Sequence, residues 1–218
     1  ELATAFDNMC ERLKELDDLK IDFISHISHK LRTPLTAIQE SSSMLLEGVF
    51  RGRPERQHEL YLIIKEECRR LIDEVNRILD LSRMEAKMMD YHFEVSEIIT
   101  IIKKNVLKLS PLAQKKGIEF KMNLINELPL VNIDEERIIQ VVEELLGNAL
   151  KFTPERGKIA ISALTNEKGM IEVSVTDTGY GIPEEELERV FEKFKRIESG
   201  RAAERGSGLG LSIAKHII

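Results

Sequence analysis

Apolar residues recur every three or four positions through the first third of the chain, the spacing that places them on one face of an α-helix. Over residues 1–31 they form a narrow seam of the coiled-coil or bundle type, made of Phe6, Met9, Leu13, Leu16, Phe23 and Ile27. Lys20 falls where an apolar residue is due, so the register shifts to Leu19 there. On this register His29 lies off the seam and faces solvent.

A second helix is predicted after a turn. Pro34 lacks a backbone donor and should kink the first helix about one turn after His29. Gly and Pro mark a turn over 48–54, and the apolar face that follows consists of Leu60, Ile64, Cys68, Leu71, Val75 and Ile78. A hairpin of two helices has only one layer to bury. The pattern therefore predicts an all-α hairpin over 1–88 that joins a second copy as a dimeric four-helix bundle.

The pattern changes after a polar, Met-rich hinge at 82–90. Short alternating segments predict strands at 91–95, 118–124, 158–164 and 170–175. Helices are predicted at 96–116, capped by Ser96 and ended by Gly117, at 134–152, capped by Asp134, and at 184–194 and 208–218. The charged segment 195–207 is typical of a mobile loop. These elements predict an α+β two-layer sandwich, with helices on one face of a mixed sheet.

Composition excludes several classes of protein. The chain has 218 residues, of which 42% are hydrophobic and 32% charged, so it is expected to fold rather than stay disordered. A net charge of -6 without a basic run argues against binding nucleic acid. Cys10 and Cys68 fall in helical patterns and not in a metal-ligand spacing. No apolar run approaches the roughly 18 residues that span a bilayer.

The predicted helix at 134–152 carries polar residues on a face of its own. Glu144, Asn148 and Lys151 are spaced by four and three residues, so they stack along the helix. A carboxylate, an amide oxygen and a cation together could hold Mg²⁺ and the phosphates that it binds. An ordinary solvated helix face would show the same spacing.

A candidate ligand-binding loop follows the predicted strand at 170–175. Asp177 lies at the strand end, where a carboxylate can accept a hydrogen bond from an exocyclic amine such as that of adenine. Gly179 and Gly181 let the backbone pass close to a ligand. A tight Asp-Gly turn without a ligand is the alternative interpretation.

A second glycine-rich segment, GSGLGL at 206–211, opens the last predicted helix. Its alternating glycines expose backbone N–H groups at a helix N-terminus, an arrangement that favours bound phosphate. The spacing fits neither the dinucleotide-binding fingerprint nor a Walker A loop.

The order and spacing of these segments resemble the N, G1, F and G2 boxes of the GHKL (Bergerat) ATP-binding fold of histidine kinases, gyrase, Hsp90 and MutL. The matching segments are NALKF at 148–152, the set of Asp177, Gly179 and Gly181, FEKF at 191–194 and GSGLGL at 206–211. FISHISHKLRTPL at 23–35 resembles the H box, which of these families only the histidine kinases carry. Residues 1–20 are similar to the end of a HAMP signalling helix.

The resemblance implies the core of a sensor histidine kinase, with a dimerisation and phosphotransfer domain at 1–88 and an ATP-binding domain at 89–218. Such a homodimer would pass the γ-phosphoryl group of ATP to His29, and then to an aspartate of a response-regulator receiver domain. Thr33 matches the position linked to dephosphorylating that regulator. Two alternatives stay open: a kinase-impaired dimeric signalling scaffold, and a GHKL-type ATPase that drives a clamp.

The resemblance also assigns roles to individual residues. His29, Lys30 and Thr33 form the catalytic set, and Asn148 would ligate Mg²⁺ with help from Glu144. Lys151 and Arg196 would contact phosphates, Asp177 would select adenine, Phe152 would pack near the base, and 195–207 would be the ATP lid. The nucleotide-binding set is Asn148, Lys151, Phe152, Asp177, Gly179, Gly181, Ile182, Phe194, Arg196, Gly206, Ser207, Gly208, Leu209 and Gly210.

Two departures from the family pattern affect these expectations. The family has Glu or Asp directly after the histidine, where it is thought to orient the imidazole proton, whereas this chain has Lys30. If the missing carboxylate is what limits the kinase, Lys30→Glu is expected to raise the rate of phosphorylation, and His26 is the candidate substitute base in the natural chain. The family fold also continues for two strands past the G2 helix, so the nucleotide-binding sheet is expected to be incomplete.

The ends of the chain predict a piece of a longer protein. The sequence starts within a helical pattern without Met and stops without an end signal. Together with the HAMP-like segment, this implies the cytoplasmic portion of an inner-membrane sensor whose membrane segments lie outside this chain.

Overall fold

The computed structural model of the chain describes residues 2–125, 128–193 and 208–218. It divides into two compact units, Glu1–Met89 and Asp90–Ile218. Among the described residues, none of the helices combines the length and the apolar character needed to cross a membrane.

The first unit is a hairpin of two long helices, α1 (Leu2–Leu46) and α2 (Pro54–Glu85), as the sequence predicts. Helix α1 continues as an α-helix through Pro34, where the sequence predicts a kink. The connecting turn places Gly48 and Gly52 in the left-handed region of backbone space, with φ of 70° and 84°. Pro54 is the first residue of α2, a position whose backbone N–H has no acceptor within the helix, so proline is tolerated there.

One side of each helix packs against the other. We call these inward-facing positions the hairpin seam. Its buried and half-buried members include Ile27, Lys30, Pro34, Ala37, Ser41 and Leu45 on α1, and Leu60, Ile64, Glu67, Leu71, Glu74, Ile78 and Leu81 on α2. Their spacing of three or four residues is that of two helices packed side by side.

Helix α2 carries a second apolar line that the hairpin does not cover. This outer stripe consists of Tyr61, Ile72, Val75 and Leu79, all exposed in the single chain. Val75, which the sequence pattern places on the buried face, therefore belongs to the outer stripe. Phe6, Met9 and Leu13 of the predicted N-terminal seam are exposed as well. The hairpin thus leaves a large apolar surface without cover from its own chain.

The second unit alternates helices and strands. Its strands are β1 (Glu94–Ser96), β2 (Glu119–Leu124), β3 (Val131–Ile133), β4 (Lys158–Thr165) and β5 (Ile171–Asp177). Its α-helices are α3 (Ile98–Lys116), α4 (Glu135–Phe152) and α5 (Gly210–Ile217), with two single 3-10 turns at Glu184–Glu186 and Arg189–Phe191. In the described part of the chain β1 pairs with β3, and a three-stranded sheet runs in the order β2-β4-β5.

The three-stranded sheet is mixed, because β2 is parallel and β5 antiparallel to the central strand β4. Alternate residues of β4 point into the core, where Ile159 and Ile161 are fully buried. They join apolar side chains of the two long helices, among them Ile102 of α3 and Leu146 of α4. This packing confirms the predicted α+β arrangement and fixes α4 by one of its sides.

Several predicted boundaries are wrong in detail. Ser96 is the last residue of β1 and not a helix cap, because α3 begins after Glu97, whose side chain accepts a hydrogen bond from Thr100. The segment predicted as a strand at 91–95 pairs only from Glu94 onward, and β3 was not predicted. The helix predicted at 184–194 is a pair of 3-10 turns in its described part. The loop predicted at 195–207 lies outside the described residues.

Asp134 caps α4 as predicted, and it also holds the start of the unit. Its Oδ1 accepts a hydrogen bond from the backbone N–H of Arg137 at 3.0 Å, and its Oδ2 accepts one from the N–H of His92 at 2.9 Å. Burial alone would raise the pKa of Asp134, but these hydrogen bonds and the charge of Arg137 hold it below the ordinary value of 3.8. The folded state therefore favours the charged carboxylate.

We expect Asp134→Ala to lower the free energy of unfolding by about 1–2 kcal/mol, because the N–H groups of Arg137 and His92 lose their acceptor. Since the pKa is lowered on folding, the charged carboxylate stabilises the protein above about pH 3.8, and this stabilisation disappears as the pH falls below that value. Urea unfolding of the natural chain, Asp134→Ala and Asp134→Asn from pH 7 to pH 3 measures both effects. Glu136→Ala, an exposed change in the same turn, is the control. A gap between the natural chain and Asp134→Asn that does not shrink towards pH 3 would contradict the assigned role.

Candidate functional site

The predicted polar set on α4 lies at the edge of the core. Leu146, Ala149 and Leu150 fill the buried side of the helix, and Glu144, Asn148 and Lys151 are half-buried beside them. The Nζ atom of Lys151 lies 4.7 Å from the centre of the Phe152 ring, a cation–π distance. These side chains therefore lie where a bound ligand could reach them while their backbone is held by the core.

The turn after β5 approaches the C-terminal end of α4 closely. Asp177 Oδ1 accepts a hydrogen bond from the N–H of Gly179 at 2.7 Å. A Cβ atom added to Gly179 would lie 2.5 Å from that oxygen and 2.8 Å from the carbonyl oxygen of Phe152. Any side chain at 179 would therefore push the turn away from α4, which explains the need for glycine.

The outer oxygen of Asp177 is placed to bind a donor. Asp177 is exposed, and its Oδ2 makes no hydrogen bond to a residue that the structure describes. Since Oδ1 is occupied by Gly179, Oδ2 is the oxygen that is left for a ligand. Such an oxygen can accept a hydrogen bond from an amino group on a planar base.

Gly181 and Ile182 complete this turn, and a different property matters at each. Gly181 has φ +71° and open space around its Cβ position, so the backbone conformation, and not crowding, favours glycine there. Ile182 is exposed and adds an apolar side chain to the turn. Together they give a ligand both a bare backbone and an apolar contact.

The start of α5 meets α4 at the other end of the polar set. A Cβ atom on Gly210, the first residue of α5, would clash with the carboxylate of Glu144. Gly208 has φ +71°, and the Leu209 side chain between the two glycines is buried. A carboxylate is favourable at a helix N-terminus. Glu144 therefore supports the glycine-rich segment directly, besides its predicted role with Mg²⁺.

The two glycine contacts lie on α4 eight residues apart, at Glu144 and Phe152, which is about 12 Å of helix. Asn148 lies midway between them. The predicted N, G1 and G2 segments thus converge on one helix, although they are separated in the sequence. Their donors and acceptors fit an adenine at the Asp177 end and phosphates towards Gly210. Mg²⁺ is usually bound by one or two protein oxygens plus substrate phosphates, which suits Asn148 and Glu144.

Some residues of the site were missed by sequence analysis. An added Cβ on Gly157 would clash with the Thr153 side chain and lie 2.9 Å from Thr178 Oγ1. That hydroxyl accepts a hydrogen bond from the N–H of Lys158 at 2.9 Å, so it ties the turn after β5 to the start of β4. In the sequence Gly157 has the signature of an ordinary turn glycine, which gives no sign of this role.

Four predicted nucleotide-binding residues lie outside the described residues: Phe194, Arg196, Gly206 and Ser207. One contact joins the described residues on either side of 194–207. The Nζ atom of Lys215 on α5 lies 5.5 Å from the centre of the Phe191 ring. This contact was not predicted either.

The H-box residues lie on α1 and point in different directions. His29 is exposed, as predicted, and its backbone carbonyl accepts a hydrogen bond from Thr33 Oγ1 at 3.2 Å. Lys30 is turned inward, with its Nζ atom 3.5 Å from Oε1 of Glu74 on α2. The side chain of His26, the predicted substitute base, lies outside what the structure describes.

Two family models match the chain. HisKA, the His Kinase A (phospho-acceptor) domain, matches residues 19–87. HATPase_c, described as Histidine kinase-, DNA gyrase B-, and HSP90-like ATPase, matches residues 133–218. The first match contains His29 and the second contains the three segments that converge on α4.

Known proteins agree with both matches. The sensor histidine kinase WalK of Bacillus subtilis is 32% identical over 207 residues, which are 94% of this chain and 34% of WalK. The chain thus spans about a third of the length of that relative. Full-length ShkA in complex with AMPPNP is 29% identical with a TM-score of 0.66, over 88% of this chain and 39% of ShkA.

The histidine kinase ThkA is similar in two structures. Its catalytic domain is 32% identical with a TM-score of 0.51, over 58% of this chain and 80% of that domain. In complex with the response regulator protein TrrA, ThkA is 25% identical with a TM-score of 0.59, over 95% of this chain and 56% of that chain. The two family models together span a phospho-acceptor domain and an ATPase domain, and the ThkA catalytic domain is matched over most of its length; the chain belongs to the histidine kinase family.

Proposed function

We propose that this chain is the kinase core of a two-component sensor, which phosphorylates His29 from ATP and passes the phosphoryl group to an aspartate of a response-regulator receiver domain. The observation that carries the proposal is the convergence of three nucleotide-binding segments on α4, in a chain that also presents His29 on an exposed helix face. An ATPase that drives a clamp needs no such histidine, and the match to a phospho-acceptor domain over 19–87 disfavours it.

ATP lies along α4 in this proposal. Oδ2 of Asp177 accepts a hydrogen bond from the adenine amine, and Gly179 and Gly181 let the backbone approach the base. Lys151 and the N–H groups at the start of α5 bind the phosphates. Asn148, with help from Glu144, would hold Mg²⁺, which would supply charge neutralisation at the phosphates, and the protein's own part in catalysis is positioning and electrostatic stabilisation.

The transfer forms one bond and breaks one. A ring nitrogen of His29 attacks the γ-phosphorus, a P–N bond forms, the bond to the β,γ-bridging oxygen breaks, and ADP leaves while the ring proton passes to a base or to solvent. In the second step an aspartate oxygen of the regulator takes the phosphoryl group and His29 is regenerated. The exposure of His29 supports both steps, since an ATP-binding unit and then a receiver domain must reach it. Thr33, one turn away, is proposed to assist dephosphorylation of the regulator.

Two partners are proposed, a second copy of the chain and a receiver domain. A second copy of the chain would cover the outer stripe of α2 and the exposed apolar residues of α1. The structure of ThkA with a response regulator protein supports a receiver domain as the other partner. Since residues 1–20 resemble the end of a HAMP signalling helix and WalK extends well beyond the matched region, we infer that this chain is the cytoplasmic portion of a longer inner-membrane sensor.

Incubation of the chain with labelled ATP and Mg²⁺ tests the phosphotransfer directly. We expect an acid-labile label, as a P–N bond requires, which is absent in His29→Gln and lost in Asp177→Ala because nucleotide no longer binds. His58→Gln, which changes an exposed histidine on α2, is the matched control and should label normally. A natural dimer that binds Mg-ATP but acquires no label would favour the kinase-impaired scaffold instead.

Close packing at Gly179 makes a second prediction. Gly179→Ala should weaken ATP binding by about tenfold or more, since overpacking costs about 1–3 kcal/mol and 1.4 kcal/mol is a factor of ten in affinity. Gly147→Ala is the control, because Gly147 lies in α4 with open space around its Cβ position. Calorimetric titration with Mg-ATP measures both. Equal affinities in the two variants would show that the turn does not have to lie against Phe152.

The outer stripe predicts the oligomeric state. We expect the natural chain to be a dimer at micromolar concentration by light scattering, and Val75→Glu to shift it to a monomer, because a charge would enter the apolar interface. Asn76→Glu changes the exposed neighbour and should leave the dimer intact. A monomeric natural chain, or a dimeric Val75→Glu variant, would place the interface elsewhere.

A further inference from the structure

Two opposite charges lie in the hairpin seam directly beside the phosphoacceptor. Lys30 on α1 and Glu74 on α2 occupy seam positions that small or apolar side chains fill in most other layers. The side chains are only 24% and 17% exposed, and they come from positions 44 residues apart in the sequence. They are therefore mostly withdrawn from water and lie at the contact between the helices.

Such a pair specifies an arrangement more than it adds stability. Withdrawing two charges from water costs about as much as their attraction returns, whereas separating them leaves a partly buried charge without its counterion. A polar group in a helix–helix seam can fix the register in this way. Sliding or rotation of α1 that moves Nζ away from Oε1 of Glu74 is thus opposed, while apolar layers above and below would tolerate small shifts.

Helix α1 lacks one backbone hydrogen bond at this turn. In an uninterrupted α-helix the carbonyl of residue 30 receives a hydrogen bond from the N–H of residue 34, and Pro34 cannot donate one. Backbone bonding therefore restrains α1 less at Lys30 than elsewhere. The side-chain contact to Glu74 acts at the same turn and couples it to α2.

We propose that the Lys30–Glu74 pair is a positioning element for His29. Successive residues of an α-helix point about 100° apart. When Lys30 is held against Glu74, His29 is held turned away from the seam, and its exposure agrees with that direction. The pair does not contact the reacting atoms, and its role rests on the proposed phosphorylation of His29.

This role changes the expectation for Lys30→Glu. From the sequence alone, a carboxylate after the histidine should accelerate phosphorylation, as a base beside the imidazole. In the folded hairpin that carboxylate would enter the seam next to Glu74, and two like charges would repel each other there. We therefore expect Lys30→Glu to slow the reaction.

The experiment is a charge-swap cycle on the full chain, with Lys30→Glu, Glu74→Lys and the double variant. Initial rates of His29 labelling are measured at several ATP concentrations, which separates kcat from KM. Misplacing a reacting group can cost about a hundredfold in rate, so each single variant should lose about ten- to a hundredfold in kcat with an unchanged KM for ATP. The double variant, which restores an ion pair with its ends exchanged, should recover most of the lost rate.

Three further variants and a second phosphoryl donor separate positioning from other effects. Glu59→Lys changes a carboxylate on α2 that pairs with Arg56 on the exposed surface, and it should leave the rate unchanged. Lys30→Arg keeps the charge and should stay close to the natural rate, whereas Lys30→Gln should slow the reaction even if Lys30→Glu fails to dimerise. Phosphoramidate, a small phosphoryl donor that does not use the nucleotide unit, should label His29 at the same rate in every variant.

The possible results are distinct. A rate in Lys30→Glu equal to or above the natural rate overturns the positioning role, as does a double variant that folds and dimerises but recovers nothing. An equal loss with phosphoramidate and with ATP also overturns it, because the imidazole itself would then be altered. A natural chain that takes no label from ATP contradicts the proposed function, and the positioning role falls with it.

Discussion

Close approach of two backbone turns to a single helix is the constraint on which the candidate nucleotide site depends. Helix α4 is fixed from behind, because Leu146 and Leu150 are buried in the core with β4. Two glycines lie close against it, Gly210 against the side chain of Glu144 in the middle of the helix and Gly179 against the backbone carbonyl of Phe152 at its C-terminal end. The polar side chains between these contacts are placed by the helix, and the glycines bring the two loops to them. Sites built on regular elements in this way hold their geometry better than sites built on loops alone.

Sequence periodicity was sufficient for the long elements. Helices α2, α3 and α4, and α1 from Ile27 onward, each bury one face, so their apolar spacing extends over many turns. Local signals also worked: Asp134 caps α4 with its own side chain, and Gly117 ends α3 with φ of 66°, a conformation that glycine adopts readily. The predictions that failed concern short elements. Strands of three residues, such as β1 and β3, contain too few positions to show alternation, and their pairing depends on a partner far away in the sequence.

In the candidate site, too, local features could be predicted from the sequence and long-range contacts could not. Its motifs could be found in the sequence because each occupies a few adjacent residues. The contacts between motifs could not, since they join Gly179 to Phe152 and Gly210 to Glu144 across the folded unit. Lys30 is the clearest case. The sequence relates it only to His29, its neighbour, and the structure adds Glu74 on the other helix. A motif in the sequence thus identifies a residue by its neighbours in the chain and gives no sign of the distant residues that it contacts in the folded protein.

The two units solve the problem of placing a reactive group by different means. In the candidate nucleotide site, close packing sets the geometry: a Cβ atom at 179 would meet the backbone of Phe152, and this backbone contact is one that neither salt nor pH alters. Beside His29, charge sets it, through a half-buried pair whose strength varies with its surroundings. An ion pair in a seam opposes rotation of the helices but can be broken and remade, whereas a packed backbone contact cannot change gradually. In the proposed reaction α1 presents the same histidine first to a nucleotide and then to a receiver domain, and for such a helix the ion pair, which can adjust, is the more suitable restraint of the two.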